Sequence, residues 1–290
     1  MAIKVMLVNP PIRMDQEPNS FPLGLGYVAS SLRQAGHKVE VLDINAYRYT
    51  DVEVEEIVKT MDYDFLGTGG LSTQFHYLKW LCSVLKHYHP EQKIVVGNYV
   101  ATPIPRMFLE KTQTDIVCTG EGELTAVMLA NAIEKGEDLS SIKGIAYKQE
   151  DGEIRITPPV PVIPNMDDIP FPAWDLFPTE IYVAHPSFSA GKRQLNMVTS
   201  RGCPYLCIYC QDAFGKKVRV RSPDNVIGEM KELKKRYGVE YIVFNDELFV
   251  VNVKRVFELC DKMIEANLGI KWSCNGRVNI VDEPLLKKMH

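Results

Sequence analysis

Short apolar, β-branched runs recur along the first 150 residues, separated by segments whose apolar positions repeat at helical spacing. The runs are "IKVMLV" (3–8), "KVEVLD" (38–43), "DFLGTG" (64–69), "KIVVG" (93–97) and "DIVCTG" (115–120). They predict a parallel sheet with helices on both faces. In "LGYVASSLRQAG", Leu25, Val28, Ala29 and Leu32 share one helix face, and Gly36 ends it. Ligands of doubly wound sheets lie beyond the carboxyl ends of the strands. Here those ends open the loops at Asn9, Leu71, Asn98 and Thr119. "GIAYKQEDGEIRI" predicts a closing hairpin with Asp151-Gly152 as a two-residue turn. From Pro158 to Pro178 prolines forbid helix or central strand, leaving an extended connector that Phe171, Trp174 and Phe177 are expected to pin to the protein surface.

A second alternation begins with "LNMVTS" (195–200) as a buried strand. Ser222-Pro223 caps a helix whose apolar stripe is Val226, Met230, Leu233 and Tyr237, and Gly238 ends it. Strand "YIVF" (241–244), helix 253–266, strand "KWSCN" (271–275) and a helix from near Glu283 follow. Three strand–helix units do not close a barrel and leave a bare edge. The sequence is therefore expected to be a piece of a longer protein and inactive alone. The expected boundaries are 1–148 for the first domain, 149–194 for hairpin end and connector, and 195–290 for the second, truncated domain.

Composition narrows the function. A 46% hydrophobic content over 290 residues supports a sizeable core. No stretch approaches the roughly 18 apolar residues of a membrane span. The start "MAIKVMLVNPP" lacks signal-peptide regions, so a cytoplasmic location is expected. The net charge of −4, with both signs interspersed, offers no broad basic face for nucleic acid and favours small-molecule chemistry. Of seven cysteines, Cys82, Cys118, Cys260 and Cys274 stand singly in apolar patterns, as buried free thiols do.

The other three, Cys203, Cys207 and Cys210, crowd into "RGCPYLCIYC" (201–210). This spacing puts three thiolates on one tight loop, within reach of a single metal centre. Structural zinc sites and ferredoxin clusters take four protein ligands. No fourth is evident: there is no histidine between His185 and His290, and Cys260 lies inside a later helix. Three thiolates suit a 4Fe-4S cluster with one iron open to substrate or cofactor, since soft sulfur selects iron–sulfur centres or zinc. The alternative readings are a zinc knuckle completed by a missing segment and three unrelated buried thiols.

Strand, Cys-x3-Cys-x2-Cys loop and following helix resemble the radical S-adenosylmethionine (SAM) superfamily, Tyr209 being the aromatic before the third cysteine. Doubly wound domain, proline-rich connector and cysteine motif resemble in order its cobalamin (B12)-binding branch. Supporting stretches are "VNPP", "GEGE" (120–123) and "DDIPFPAWDL" (167–176). The resemblance implies an α/β protein. Its N-terminal doubly wound, Rossmann-like cobalamin-binding-type domain would precede the first half of a radical SAM (β/α) partial TIM barrel.

It further implies cluster ligation by Cys203, Cys207 and Cys210, with SAM bound at the open iron and cleaved to a 5'-deoxyadenosyl radical. Tyr209 would lie against adenine, and Asp246 or Glu247 of "FNDELF" near the SAM ammonium. Loops containing Gly69, Gly70, Leu71, Gly97, Gly120, Glu121 and Gly122 would hold cobalamin. Partners would be a small-molecule substrate and an external electron donor such as flavodoxin or ferredoxin. The reaction would be methyl transfer or oxidative cyclisation on an unactivated carbon.

Residue by residue, other readings stand beside these. The glycines, Gly67 included, could serve only tight turns, and Asp246 and Glu247 could cap the next helix. Arg277 could face the SAM carboxylate or pair on the surface with Asp282. "KKVRVR" (216–221) alternates Lys217, Arg219 and Arg221 on what reads as a solvated strand face. The chain departs from many cobalamin domains in having no histidine in residues 9–36. It also has Gly69 where a serine is expected and Gly97-Asn98 where glycines pair. Two alternatives follow: a radical SAM enzyme whose first domain binds no cobalamin, and a non-catalytic zinc-binding or regulatory module.

Overall fold

The computed structural model describes residues 2–149, 151–187, 189–211 and 214–290. The chain forms two compact units. One comprises Met1–Glu17, Gly24–Val162 and Pro170–Pro178; the other comprises Pro18–Leu23, Ile163–Ile169 and Thr179–His290.

The first unit is built on β1 (Lys4–Asn9), β2 (Lys38–Asp43), β3 (Phe65–Gly69), β4 (Lys93–Gly97) and β5 (Ile116–Cys118), which are parallel in the order β2-β1-β3-β4-β5. This is the flavodoxin-like doubly wound order, with its switch point between β1 and β3. Helices α1 (Leu23–Gln34), α2 (Ile44–Tyr47), α3 (Asp51–Thr60), α4 (Phe75–Tyr88), α5 (Pro105–Lys111) and α6 (Gly122–Lys135) connect them. The central strands are apolar throughout because helices cover both faces: β1 buries all but its first residue, whereas edge strand β2 alternates. Met6, Val8, Leu66, Leu78, Leu81, Ile94, Val96 and Val117 fill one core.

Antiparallel β6 (Ile145–Lys148) and β7 (Ile154–Ile156) extend the sheet beyond β5. Their turn differs from the two-residue form. Gln149 donates its N–H to the Glu153 carbonyl at 2.8 Å, so residues 150–152 lie inside the closing pair, and residue 150 is outside the described residues. Gly152 takes φ +87°, on the left-handed side that glycine tolerates. The connector is packed rather than draped, with Trp174 and Phe177 buried and Phe171 half-buried.

In the second unit β8 (Gln194–Met197), β11 (Tyr241–Phe244) and β12 (Lys271–Cys274) are parallel in the order β12-β11-β8. The predicted strand 195–200 splits: β8 stops at Met197, and β9 (Ser200–Arg201) turns away to pair antiparallel with β10 (Arg219–Val220). A short α7 (Thr179–Ala184) precedes β8. Then α8 (Pro223–Tyr237), α9 (Val253–Ala266) and α10 (Glu283–Met289) alternate with the strands. Ser222 caps α8 by accepting from Asn225 N–H at 3.2 Å, and Gly238 ends it at φ +60°. Upstream, Asn196 of β8 binds Phe21 twice at 3.0 Å, its side chain accepting the Phe21 N–H and donating to the Phe21 carbonyl. Among the described residues no helix is long and apolar enough to cross a membrane.

Phe244 sits at the centre of this unit, stacked on Phe249 at 5.0 Å and edge-on to Trp272 at 5.6 Å. Phe244→Ala should destabilise by about 3–5 kcal/mol, because neighbouring strands cannot collapse on the void. Urea unfolding should show a lower midpoint with an unchanged slope.

Candidate active site

The carboxyl ends of β8 and β11 are tied by a buried carboxylate. Asp246, just beyond β11, accepts the Thr199 N–H and the Thr199 hydroxyl at 2.6 Å and the Ser200 hydroxyl at 2.7 Å. Its own carbonyl accepts from the Asn275 amide beyond β12 at 3.4 Å, so the third strand end joins the cluster. Burial pushes the Asp246 carboxyl up, against those hydrogen bonds and the nearby Arg255 charge. Arg255, buried on α9, donates to the carbonyls of Arg221 at 3.0 Å and Thr199 at 3.1 Å, and burial lowers its pKa. Three donors thus already engage the Asp246 carboxylate.

The basic run 216–221 is not a solvated face either. Arg219 and Arg221 are buried, leaving only the lysines exposed. Arg219 donates to the Ile163 carbonyl at 2.9 Å. Arg221 donates to the Val198 carbonyl at 2.8 Å and pairs with Glu229 of α8 at 2.5 Å, both side chains excluded from water. Such a pair fixes geometry more than it adds stability, because desolvation offsets most of the attraction.

The cysteine loop springs from this platform. Gly202 has φ +92°, and a Cβ there would meet the Lys217 carbonyl at 2.6 Å and the Gly215 carbonyl at 2.9 Å, so backbone itself excludes a side chain. Cys203 donates its N–H to the Gly215 carbonyl at 3.1 Å, and Cys210 N–H reaches the Cys207 carbonyl at 3.0 Å. Cys203 and Cys207 are half-buried and Cys210 is exposed. Tyr209, 89% exposed, is no packed aromatic. Among the described residues no three His, Cys, Asp or Glu side chains converge on a metal position, so the thiols share a loop without forming a closed cage.

Arg277 departs from its expected ion pair. Its guanidinium lies over the Tyr205 ring at 3.7 Å and its Nη1 is 3.7 Å from Cys207 Sγ. Asp282 instead caps α10, accepting from Leu285 N–H at 2.9 Å. Three accessible soft donors on one loop, with a cation at the middle one, fit an anionic iron–sulfur cluster.

In the first unit the strand-end loops are stapled to one another. Buried Gln74 donates to the carbonyls of Pro10 at 3.2 Å and Pro11 at 2.8 Å and accepts from Leu71 N–H at 2.7 Å. Asn9 donates to Asp43 at 2.8 Å. The glycines divide. A Cβ at Gly70 would strike Gln74 Oε1 at 2.5 Å, one at Gly69 the Gly97 carbonyl at 2.9 Å, and one at Gly122 Val28 at 2.9 Å. A Cβ at Gly120 would crowd Val160 at 3.0 Å, whereas one at Gly97 would make only ordinary contact. Asn98 takes φ +64°, the left-handed position that a second glycine would otherwise fill. Glu121 is buried just before α6. Ile12, Met14, Leu71 and Leu124 remain exposed at this carboxyl edge, an apolar rim beside loops with little side-chain bulk that suits the flat body of a corrin.

Residues 17–130 match the B12 binding domain and residues 197–289 the radical SAM superfamily. The chain thus joins a B12 binding domain to a radical SAM domain, the pair that defines cobalamin-binding radical SAM proteins. An uncharacterized methyltransferase of Pyrococcus horikoshii is 34% identical over 99% of this chain and 62% of its own length. An anaerobic magnesium-protoporphyrin IX monomethyl ester cyclase of Rubrivivax gelatinosus is 29% identical over 91% of this chain and 48% of its own. Cytidylyl-2-hydroxyethylphosphonate methyltransferase of Streptomyces wedmorensis is 28% identical over 99% and 62%. The chain thus spans about half to three-fifths of these curated relatives. Two solved structures share the fold. The cobalamin-dependent SAM radical enzyme OxsB, with aqua-cobalamin and SAM bound, superposes with a TM-score of 0.82 at 23% identity over 98% of this chain and 40% of its own. The radical SAM methyltransferase TsrM of Kitasatospora setae, with cobalamin and a 4Fe-4S cluster bound, gives 0.79 at 19% identity over 100% and 57%.

Sequence reasoning missed Gln74, Thr199, Ser200, Glu229 and Arg255. Only Arg255 left a signal, as a charge set among Val256, Leu259 and Cys260 on the buried face of α9.

Two outcomes follow from the ionisation of the site. Burial holds the Cys82 thiol at about 11 and Cys274 at about 12, and raises Cys118 and Cys260. At about pH 8 the Cys82 thiolate is then about one part in a thousand. Iodoacetamide should label Cys203, Cys207 and Cys210 of the metal-free protein first, as peptide mass spectrometry would show. For Asp246, a carboxyl raised on folding stabilises on the acid side and loses that contribution as pH rises through its folded pKa. Asp246→Asn cannot ionise. Its urea midpoint should lack the decline that the native chain shows as pH rises above the ordinary carboxylate range.

Proposed function

We propose that this chain is the cofactor-binding part of a cobalamin-dependent radical SAM enzyme that transfers a methyl group or closes a ring on an unactivated carbon of a small molecule. The observation that carries the reading is the loop of three accessible thiols, Cys203, Cys207 and Cys210, raised on a rigid polar platform at the strand ends. When bound, the cluster supplies the electron that splits SAM into methionine and a 5'-deoxyadenosyl radical, while cobalamin supplies a methyl carrier.

The chain's own residues hold and orient these groups. Cys203, Cys207 and Cys210 would hold the cluster as thiolates, and SAM would bind beside them. With the Asp246 carboxylate committed to Thr199 and Ser200, acceptance of the SAM ammonium falls to Glu247 and to backbone carbonyls of the same turn. Exposed Tyr209 offers its face to adenine. In the first unit the loops at Gly69–Leu71, Gly97–Asn98 and Gly120–Gly122, with Ile12 and Leu71 on the rim, would seat the corrin without a histidine from residues 9–36. An external one-electron donor such as flavodoxin or ferredoxin completes the requirement.

Anaerobic reconstitution with iron, sulfide and hydroxocobalamin tests both halves. The chain should take up about four irons and retain corrin absorption through gel filtration. Replacing Cys203, Cys207 and Cys210 together by alanine should abolish iron uptake and leave the corrin bands. Stoichiometric zinc with no iron in the native chain would defeat the enzymatic reading.

A further inference from the structure

We infer that Arg277 is a redox-tuning residue, a fixed cation whose N–H···S contact with Cys207 raises the reduction potential of the cluster. The inference rests on the cluster reading above and adds a role for a side chain on a different strand from the cysteines.

Arg277 follows β12, whereas the cysteines follow β8. Three contacts hold its guanidinium: the Tyr205 ring at 3.7 Å, Asn279 Oδ1 at 3.2 Å from Nε, and Cys207 Sγ at 3.7 Å from Nη1. Tyr205 is itself held, its carbonyl accepting from Lys216 Nζ at 2.9 Å. A place over an aromatic face suits a planar, weakly hydrated cation. Among the described residues no carboxylate pairs with Arg277, and its nearest acidic candidate in sequence is engaged in capping α10. Its charge therefore remains available to sulfur.

A thiolate that ligates iron keeps lone pairs able to accept an N–H. One-electron reduction makes the centre more negative, so a donor at the sulfur and a positive charge beside it stabilise the reduced form more than the oxidised one. No other atom moves in this step, and the electron comes from the external reductant.

The test uses the full 290-residue chain, reconstituted anaerobically without SAM and reduced with dithionite at controlled potentials while the reduced cluster is followed by electron paramagnetic resonance. Held at the native midpoint, Arg277→Gln should show about a tenfold lower ratio of reduced to oxidised cluster, a displacement of about 59 mV for one electron, with native iron content. Arg277→Lys, which keeps the charge but not the plane, should shift less, and Tyr205→Leu should shift in the same direction as Arg277→Gln. An unchanged midpoint in iron-replete Arg277→Gln overturns the inference, as does an effect confined to SAM affinity. Should that variant hold no iron, Arg277→Lys and Tyr205→Leu decide, and two unshifted midpoints overturn it. Failure of the native chain to take up iron at all would instead defeat the cluster reading.

Discussion

Everything at the carboxyl end of the second sheet depends on one buried carboxylate. Asp246 lies just beyond β11, yet its oxygens are spent on the residues that follow β8, while its carbonyl receives the amide that follows β12. Parallel strands are held together by evenly spaced, slanted hydrogen bonds that cease where the strands cease. Past that point the chain needs another source of order, and here side-chain acceptors and donors provide it. Arg221 and Arg255 then donate to the carbonyls of Val198 and Arg221, and Arg255 adds a second donor to the Thr199 carbonyl, which also accepts the Arg221 N–H. Such a network is costly to leave half-made, so it tolerates few intermediate arrangements.

The contrast between that platform and the loop it supports is chemical. The platform is dry and charged; the loop is wet and presents Leu206, Ile208 and Tyr209 to solvent. A loop meant to wrap an inorganic centre cannot bury itself beforehand, and its ends carry the rigidity instead. Gly202 serves that purpose by bringing two backbones within a distance that no other residue allows. In the first unit Gln74 has a similar place, one amide joining the loops after β1 and β3, and it explains why Gly70 has no side chain. Several of the glycines that read as space for a ligand are thus required first by the protein's own packing.

How far the sequence discloses this follows from the range of the interactions. Strands with both faces covered announce themselves as continuous apolar runs, and β4 lies where its run falls. The thiol loop was legible because its three residues are neighbours. What escaped was non-local. Nothing in "KKVRVR" distinguishes an arginine paired with Glu229 from one in water, because the partner lies eight residues on, across a turn of helix. Thr199 and Ser200 look like ordinary strand residues until Asp246, 47 and 46 positions later, is brought beside them. The break of 195–200 into two strands has the same origin. Its apolar pattern continues, but the carboxylate across the sheet bends the chain out of register. Proximity in sequence offers Arg277 a partner in Asp282, whereas the aromatic face that captures it lies 72 residues earlier.

The interleaving of the two units bears on how the molecule is made. Asn196 grips Phe21 by both its polar atoms, and Phe21 also meets the ring of Tyr182 edge-on at 5.7 Å, so the second unit includes a strip of chain synthesised long before the rest of it. During translation that strip must stay open until more than 170 further residues have left the ribosome. For the same reason no single cut through the polypeptide releases both units whole, and a genetic fusion that parted them at the connector would strand Phe21 on the wrong side.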